Sequence, residues 1–436
     1  MSFEPIRQLT VWRTLSTGDR VRVGRLAQNR QGVFFQYHAD YVGRFGSLSP
    51  YKLAASSALQ PAPAQPHSGL HGVFADSLPD GWGLLLQDRV FRQQGLVPAQ
   101  VTAMDRLAFV GNSAGGALSY EPSYEVALEQ EAEVSSYLLA ELGQQAQALF
   151  EGQTDEVLQA LIAAGSSGGA RPKALLFFAV DAFAECRTLA QPGDEAWLVK
   201  FTSSRFQLGH EEGRCEAVYL QLAEKLGLQP PQWRLLDAPV SHTVRGSGAL
   251  QWLAVRRFDY VQNAQAPNGR VHVHSACGLL DADFRSPSLD YQDLIKVAGQ
   301  LCRSPQAAQL QFKRALFNLF ASNQDDHSKN WAFLQDDQGQ WSPAPFYDVT
   351  FSPHPYNEHA TAYAGYGKCP PLAVVQKLAA SAGFASWADA RVCLEQIVDG
   401  VMSFARTARD LDVEPKTVKA VQAVLEERYR ENRKLL

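Results

Sequence analysis

The chain has 436 residues, a length that predicts two or three domains rather than one. Hydrophobic residues make up 46% of it and charged residues 19%, which excludes an intrinsically disordered protein. Its 40 basic and 45 acidic side chains give a formal net charge of -5, so we expect no tightly held, direct nucleic-acid ligand.

The composition also predicts the compartment. The first residues include Glu4 and no apolar core, so no signal peptide is expected, and no run approaches the length of a membrane span. The 6 cysteines form no CxxC pair, which indicates reduced thiols. We therefore expect a cytoplasmic protein that does not contact membranes.

The first part of the chain predicts strands and turns. Hydrophobic alternation in VRVGRLAQ and GVFFQYHADYV is typical of half-buried strands. A Pro/Ala/Ser-rich loop follows at residues 54–69, and the turn Pro79-Asp80-Gly81 precedes a predicted helix. We assign residues 1–122 to a strand-rich N-terminal domain and residues 123–154 to a helical linker.

The second part changes from strands to helices. Residues 155–265 contain a Gly/Ser loop, the strands ALLFFAV, AWLVKF and QWLAVRRF, and a helix near residues 213–226. Residues 266–436 are mostly helical, with one buried helix face at 312, 316, 319 and 320 and a last helix beginning at Pro415. The fold class is therefore α+β, with two lobes, a cleft between them and a smaller N-terminal domain.

A dense polar cluster follows the buried helix. Asp325 precedes Asn330 by five residues, the D-x-x-x-x-N spacing of a kinase catalytic loop. Such a loop needs one carboxylate to accept a hydroxyl proton and one amide oxygen to hold a metal ion. The alternative is a solvated turn whose side chains bond their own backbone. Asp326 lacks this spacing, so we expect Asp326→Ala to reduce phosphoryl transfer less than Asp325→Ala does.

A second carboxylate lies in the segment APFYDVTFSP. Asp348 is 18 residues beyond Asn330, across a predicted hairpin that turns at residues 336–339. Oxygen ligands suit Mg²⁺, so Asn330 and Asp348 are its candidate ligands. The residues after Asp348 are Val and Thr, not the Phe-Gly of a kinase DFG motif, and an isolated Asp there could equally be a cap or turn residue.

Two earlier features complete the pattern. The loop at residues 165–170 has adjacent glycines that could bind phosphate through backbone N–H groups, although such turns are also common linkers. Lys200, on a predicted strand, could contact ATP phosphates and pair with Glu216 on the next helix, or it could be an edge lysine with an exposed head. All these features occur in the order found in protein kinases.

These motifs are similar to those of a known family. The segments SLPDGWGLLLQDR, GNSAGGALSYEP, SSGGARPKALL, WLVKF, AVRRFD, DDHSKNWAF and FYDVTFSP resemble the HipA family of bacterial serine/threonine kinases, toxins of type II toxin–antitoxin systems. The resemblance covers nearly the whole chain. It implies a two-lobed kinase-like core that carries a smaller N-terminal domain.

The resemblance implies roles for individual residues. Asp325 would be the general base, with His327, Lys329 and Asn330 continuing the catalytic and nucleotide site. Asp348 would be a Mg²⁺ ligand. The implied nucleotide contacts, besides these, are Gly168, Gly169, Ala170, Arg171, Pro172 and Lys173 at the phosphates, Lys200 at the phosphates, Arg256, Arg257 and Phe258 at the adenine, and Tyr347 beside the nucleotide. Family members often carry Glu where Arg256 stands.

The resemblance also implies substrate, partner and regulation. The kinase would use ATP and Mg²⁺ to phosphorylate a translation component such as an aminoacyl-tRNA synthetase. A small DNA-binding antitoxin would restrain it and supply its only, indirect, contact with DNA. Autophosphorylation of Ser166, or of Ser167, would add a charge of about -1.5 to -2 to the Gly-rich loop and disable the enzyme.

Two other functions are compatible with the same residues. A small-molecule kinase of the aminoglycoside type has the same D-x-x-x-x-N arrangement. A non-catalytic, pseudokinase-like binding module is the other alternative, but it would not need Asp325, Asn330, Asp348 and Lys200 together.

Overall fold

Strands predominate in the first half of the chain and helices in the second. The structure, a computed structural model, describes residues 4–123, 136–154, 161–162, 168–238, 250–261 and 268–436. Among these residues no helix is long and apolar enough to cross a bilayer. The observed architecture is the α+β arrangement that the sequence predicts.

The N-terminal domain is built on a five-stranded antiparallel sheet in the order β4-β3-β2-β1-β5. Its strands are β1 Gln8–Thr14, β2 Arg20–Asn29, β3 Gly32–Tyr37, β4 Gln60–Pro61 and β5 Leu118–Glu121. Its helices are α1 Ala39–Phe45, α2 Gly72–Ala75, α3 Gly81–Gln93 and α4 Ala103–Val110. Residues 39–42, predicted as strand, begin α1 instead, because burial changes there from alternate residues to Tyr41 and Phe45, four apart.

The middle of the chain forms a six-stranded sheet in the order β10-β11-β9-β7-β8-β6. Its strands are β6 Ser136–Leu138, β7 Lys173–Phe178, β8 Glu185–Arg187, β9 Glu195–Lys200, β10 Trp233–Asp237 and β11 Gln251–Arg256. Helices α5 Leu139–Phe150 and α6 Glu212–Lys225 flank it in the part of the chain that the structure describes. The predicted linker therefore contributes β6 to this sheet, and α5 packs on the sheet through Leu142, Ala146 and Leu149.

The C-terminal lobe is mainly helical. Its helices are α7 Ala276–Leu280, α8 Tyr291–Leu301, α9 Pro305–Ala321, α10 Leu372–Ser381, α11 Trp387–Met402, α12 Phe404–Asp410 and α13 Pro415–Asn432. Short strands accompany them: β12 His272–Ser275, β13 Leu289–Asp290, β14 Ala332–Gln335, β15 Trp341–Pro343 and β16 Thr361–Ala362. The hairpin predicted at residues 336–339 joins β14 to β15.

Helix α9 is buried in the core of the C-terminal lobe. Ser304 caps its first turn by accepting a hydrogen bond from the Ala307 N–H, and Pro305 occupies the first helical position. The helix ends where Ser322 adopts a left-handed conformation with φ 53°. The polar loop predicted from the sequence begins directly after this end, over the core of the lobe.

The N-terminal domain is docked on the C-terminal lobe through buried polar contacts. The fully buried guanidinium of Arg13 donates to the Tyr41 hydroxyl at 3.1 Å and to Gln335 Oε1 at 3.0 Å. Asp76 accepts hydrogen bonds from the Ser275 N–H at 2.8 Å and from its hydroxyl at 2.5 Å. Because such bonds are expensive to leave unmade inside a protein, they fix the orientation of the domain on the lobe.

Candidate active site

One cleft of about 630 Å³ lies where the N-terminal domain, the six-stranded sheet and the C-terminal lobe meet. Its lining includes these residues named from the sequence: Gly168, Gly169, Ala170, Arg171, Lys173, Lys200, Arg256, Arg257, Phe258, Asp325, His327, Lys329, Asn330, Tyr347 and Asp348. Pro172 lies beside the cleft, where its carbonyl accepts the Phe201 N–H at 2.9 Å. Ser166 and Ser167 lie outside the described residues.

Lys200 connects the two sides of this cleft. It lies on β9, where its ammonium group donates to Glu216 of α6 at 2.6 Å and contacts Asp348 of the C-terminal lobe. Burial favours the neutral amine, but the two carboxylates outweigh it and raise the pKa of Lys200 above its ordinary value. The lysine therefore remains a cation within the cleft.

Lys173 lies directly opposite Lys200 in the sheet register. Its ammonium group donates to the carbonyl of Gly168 at 2.6 Å and so ties β7 back to the Gly-rich loop. Burial lowers its pKa more than the nearby Asp348 and Glu216 raise it. Two adjacent strands thus present two lysines to the same end of the cleft.

Asp348 adopts a left-handed backbone conformation, with φ 50°. This conformation is uncommon for residues other than Gly, although Asp tolerates it better than most, and such residues are frequent at functional sites. Burial would raise the pKa of its carboxyl, but the charges of Lys200 and Lys173 hold that pKa well below its usual range. Asp348 is therefore an anion over the whole neutral range.

Asp325 and Asn330 lie together on the loop that follows α9. The Asn330 amide group donates to the carbonyl of Asp325 at 2.7 Å, which leaves its side-chain oxygen as the atom available to a cation. The Asp325 side chain is 70% exposed, and its Oδ1 is 3.9 Å from His327 Nε2. Partial removal of water by the surrounding cleft raises the pKa of the Asp325 carboxyl. The interaction with His327 lowers this pKa, and the negative charge of Asp348 raises it further.

Asp326 has the opposite environment. Its carboxylate is buried and accepts hydrogen bonds from the Tyr291 hydroxyl at 2.5 Å and the Thr361 N–H at 3.1 Å, and it bonds His359 Nδ1 at 2.8 Å. Its carbonyl accepts the Trp331 indole N–H at 3.1 Å. Asp326 thus holds the loop in place from below, and we expect its replacement to destabilise the folded protein.

Two aromatic rings line the cleft. The rings of Phe258 and Tyr347 are 5.6 Å apart between centroids and inclined at 32°. The Tyr347 hydroxyl donates to the carbonyl of Lys329 at 2.6 Å, so the ring is held against the catalytic loop. Such a pair offers a flat base a stacking surface.

The two arginines expected near the adenine are committed to protein partners. Arg256 donates to Gln232 Oε1 at 2.5 Å and forms an ion pair with Glu195 at 3.3 Å. Arg257 makes two hydrogen bonds of 2.7 Å to the buried carboxylate of Asp259. The backbone N–H groups of both arginines also donate to protein carbonyls. These hydrogen-bond donors of both arginines are therefore already paired within the protein, and a base would contact only the other exposed atoms of the two residues.

Sequence reasoning missed three charged residues that line the cleft, Asp76, Asp80 and Arg285. Asp80, in the turn before α3, forms an ion pair of 2.5 Å with Lys329 and accepts a hydrogen bond from the Gly169 N–H. The motif SLPDGWG contains it, but that motif indicated only a turn and a resemblance. No local pattern shows that a residue of the N-terminal domain lies 249 positions from its ionic partner in the same site.

Comparison with known proteins identifies the class. The model of the HipA-like C-terminal domain matches residues 165–407, and that of the HipA N-terminal domain matches residues 17–121. The chain therefore belongs to the HipA family, which confirms the resemblance seen in its motifs.

Individual relatives are more distant. A putative kinase, Y4mE of Sinorhizobium fredii (strain NBRC 101917 / NGR234), is 30% identical over 142 residues, and the match spans 31% of each chain. In the solved toxin–antitoxin complex of HipA, HipB and operator DNA from Shewanella oneidensis MR-1, a chain aligns with a TM-score of 0.65 and 17% identity. That alignment covers 98% of this chain and 99% of the other. It confirms the predicted two-lobed fold.

Proposed function

We propose that this protein is an ATP-dependent serine/threonine protein kinase that acts as the toxin of a toxin–antitoxin pair. The observation that carries the proposal is the position of Lys200, bonded to Glu216 and Asp348 in the cleft that also contains Asp325 and Asn330. A strand lysine paired with a helix glutamate, beside a catalytic Asp and a second Asp, is the arrangement by which kinases orient ATP phosphates. The named kinase relative agrees with it.

The oxygen donors in the cleft fit a magnesium ion. Within the described part of the chain, no three His, Cys, Asp or Glu side chains form a metal cluster. Magnesium in nucleotide sites needs fewer protein ligands, since it keeps waters and binds phosphate oxygens. Asn330 and Asp348 would hold it, and when bound it would neutralise charge on the phosphates.

The transfer step follows from the position of Asp325. The oxygen of a substrate hydroxyl forms a bond to the γ-phosphorus of ATP, the bond from that phosphorus to the bridging oxygen breaks, and ADP leaves. Asp325 orients the hydroxyl and accepts its proton. The Lys200 cation and the neighbouring Lys173 side chain would face the negative phosphates throughout the transfer.

The exposure of Asp325 favours a protein substrate. A carboxylate that is 70% exposed can reach a Ser or Thr hydroxyl on the surface of a large partner. Following the family resemblance, the substrate we propose is a translation component such as an aminoacyl-tRNA synthetase. A small antitoxin would restrain the kinase and supply its contact with DNA; the Shewanella oneidensis complex likewise contains HipA, HipB and operator DNA together.

Self-inactivation belongs to the same proposal. A phosphate on Ser166, or on Ser167, would bring negative charge to the residues just before Gly168, where the phosphates of ATP would bind. Repulsion between the two groups of phosphate would weaken ATP binding.

Phosphoryl transfer in vitro tests the proposal. Purified protein, Mg²⁺ and labelled ATP are incubated with a cell extract, with a panel of aminoglycosides or with neither, and Asp325→Ala is the matched control. We expect label on proteins, and intact-mass analysis with peptide mapping should find a phosphate at Ser166. Label on the small molecules alone would indicate the aminoglycoside-type enzyme, and no transfer at all would indicate a binding module.

A further inference from the structure

The turn that enters α3 contacts the Gly-rich loop directly. The Trp82 N–H donates to the carbonyl of Gly169 at 2.9 Å, and its indole N–H donates to the carbonyl of Lys173 at 2.9 Å. Asp80 accepts the Gly169 N–H. Residues 80–82, which we call the docking turn, therefore hold the end of the loop by two hydrogen bonds to Gly169 and the start of β7 by a third, to Lys173.

The fit between the two segments requires glycine. A side chain at Gly168 would bring a Cβ atom to 2.8 Å from both carboxylate oxygens of Asp80. At Gly81, with φ 43°, a Cβ atom would overlap the backbone of Gly169. The two backbones can thus approach each other closely because each segment has a glycine at the contact, Gly81 in one and Gly168 in the other.

The same carboxylate also contacts the catalytic loop. Asp80 Oδ2 is 2.5 Å from Lys329 Nζ, and the two side chains are only 13% and 21% exposed. Burial would raise the pKa of Asp80, but the charge of Lys329 and the bonds from Lys329 and Gly169 lower it below its usual value. The ammonium group of Lys329 also lies 4.2 Å from the centroid of the Phe284 ring.

We propose that Asp80 is a positioning residue by which the N-terminal domain fixes the Gly-rich loop and the catalytic loop relative to each other. It bonds one element from each lobe, so the spacing of the two phosphate-contacting elements depends on a third domain. Charge-assisted bonds of this kind are about twice as strong as neutral ones. This inference rests on the proposed kinase function and adds a specific role for the N-terminal domain to it.

The test compares Asp80→Asn with Asp88→Asn. Both remove one carboxylate from the same domain, but Asp88 pairs with Arg106 at 2.7 Å and does not line the cleft. Asp80→Asn should weaken binding of a non-hydrolysable ATP analogue with Mg²⁺ roughly tenfold or more. Asp80→Glu should recover part of this loss, and Asp88→Asn should bind the analogue as the wild type does.

Two further measurements separate positioning from general stability. Without nucleotide, hydrogen exchange over residues 168–175 should quicken in Asp80→Asn and not in Asp88→Asn. Lys329→Met should weaken nucleotide binding by itself, and the loss in the double variant with Asp80→Asn should be smaller than the product of the two single losses. Lys329→Met also tests the pair if Asp80→Asn fails to fold.

The outcomes that overturn the inference are specific. Unchanged exchange and unchanged nucleotide affinity in Asp80→Asn would show that the pair holds nothing in place. Tighter nucleotide binding in Asp80→Asn would show that Asp80 competes with phosphate for Gly169 and Lys329. If the wild type binds no nucleotide, the proposed kinase function fails, while hydrogen exchange still tests the contact itself.

Discussion

Two neighbouring carboxylates show how far one residue can differ from the next. Asp325 faces the cleft and is open to a substrate, whereas Asp326 is buried beneath the loop with Tyr291 and His359. The peptide between them crosses from the cleft to the core. The kinase-like spacing to Asn330 selects Asp325, which lines the cleft, but it contains no information about the role of Asp326.

Replacing each acid by Ala should therefore have different consequences. Asp325→Ala should lower phosphoryl transfer by roughly 10²–10⁴-fold and change the free energy of unfolding by less than about 0.5 kcal/mol. Asp326→Ala should lower the free energy of unfolding by about 2–4 kcal/mol, since it leaves buried donors without an acceptor. Denaturant titration and a transfer assay on both variants check this, and equal unfolding midpoints would contradict it.

At the scale of elements, the residues of the site lie at the ends of helices and strands or in the loops that follow them. The loop that contains Asp325 begins at the end of α9, and Asp348 follows the β14–β15 hairpin, so both are held by the same lobe. Lys200 and Lys173 come from adjacent strands of the other lobe. The cleft thus lies between the two lobes rather than within one of them, and the N-terminal domain contributes part of its lining.

The shared metal site that we propose can be tested by combining variants. Asn330→Ala and Asp348→Ala should each raise the Mg²⁺ concentration needed for half-maximal activity. Because both act through one ion, the double variant should be little worse than the more damaging single variant. Asp293→Ala, on the exposed first turn of α8, is the control. Losses that multiply would show that the two residues serve separate steps.

At the scale of the whole molecule, three buried histidines lie where the N-terminal domain meets the C-terminal lobe. His274 bonds Asp76 at 2.7 Å and the Ser49 hydroxyl at 2.9 Å, and His67 lies 3.3 Å from Asp281. His71 precedes α2 and packs edge-on against the ring of Phe74, with centroids 6.0 Å apart. Burial lowers the pKa of His67 and of His71, so protonation of these two side chains in acid opposes the folded state.

The stability of the protein should consequently fall in mild acid. Burial lowers the pKa of His71 from its ordinary 6.5 to about 4. A histidine with a lowered pKa stabilises the fold above pH 6.5, and this contribution is lost as pH falls toward 4, on the order of 3 kcal/mol in all. His71→Phe should reduce the slope of unfolding free energy against pH between these values. Denaturant titrations at several pH values measure it.

An exposed histidine provides the control for this prediction. His38 has 42% of its side chain exposed, so His38→Gln should leave the pH dependence unchanged. If His71→Phe retains the full wild-type slope between pH 4 and 6.5, the acid sensitivity arises elsewhere in the protein.

Local patterns by themselves determined much of this protein. Hydrophobic alternation and helical periodicity predicted β2, β9, β11 and α6 close to their observed bounds, because the burial of one face imposes a period on the residue order. Local signals also predicted where α3 and α13 begin and which face of α9 is buried. The order of the loop glycines, Lys200, Glu216, Asp325, Asn330 and Asp348 predicted a kinase-like site, and the change from a strand-rich to a helical half predicted a cleft between two lobes. The periodicity depends only on residues close together in the sequence, and the motif order depends only on their succession along the chain. Both can therefore be recognised without a structure.

Tertiary structure decided the rest, since it depends on residues far apart in the chain. Only the assembled molecule brings Asp80 to Lys329, buries Asp326 under Tyr291 and adds β6 to the sheet of the middle region. The guanidinium of Arg257 is likewise directed by Asp259, whose burial depends on packing against the N-terminal domain. Ion pairs and buried hydrogen bonds form between whichever groups the packed elements bring together, and local sequence does not specify those partners.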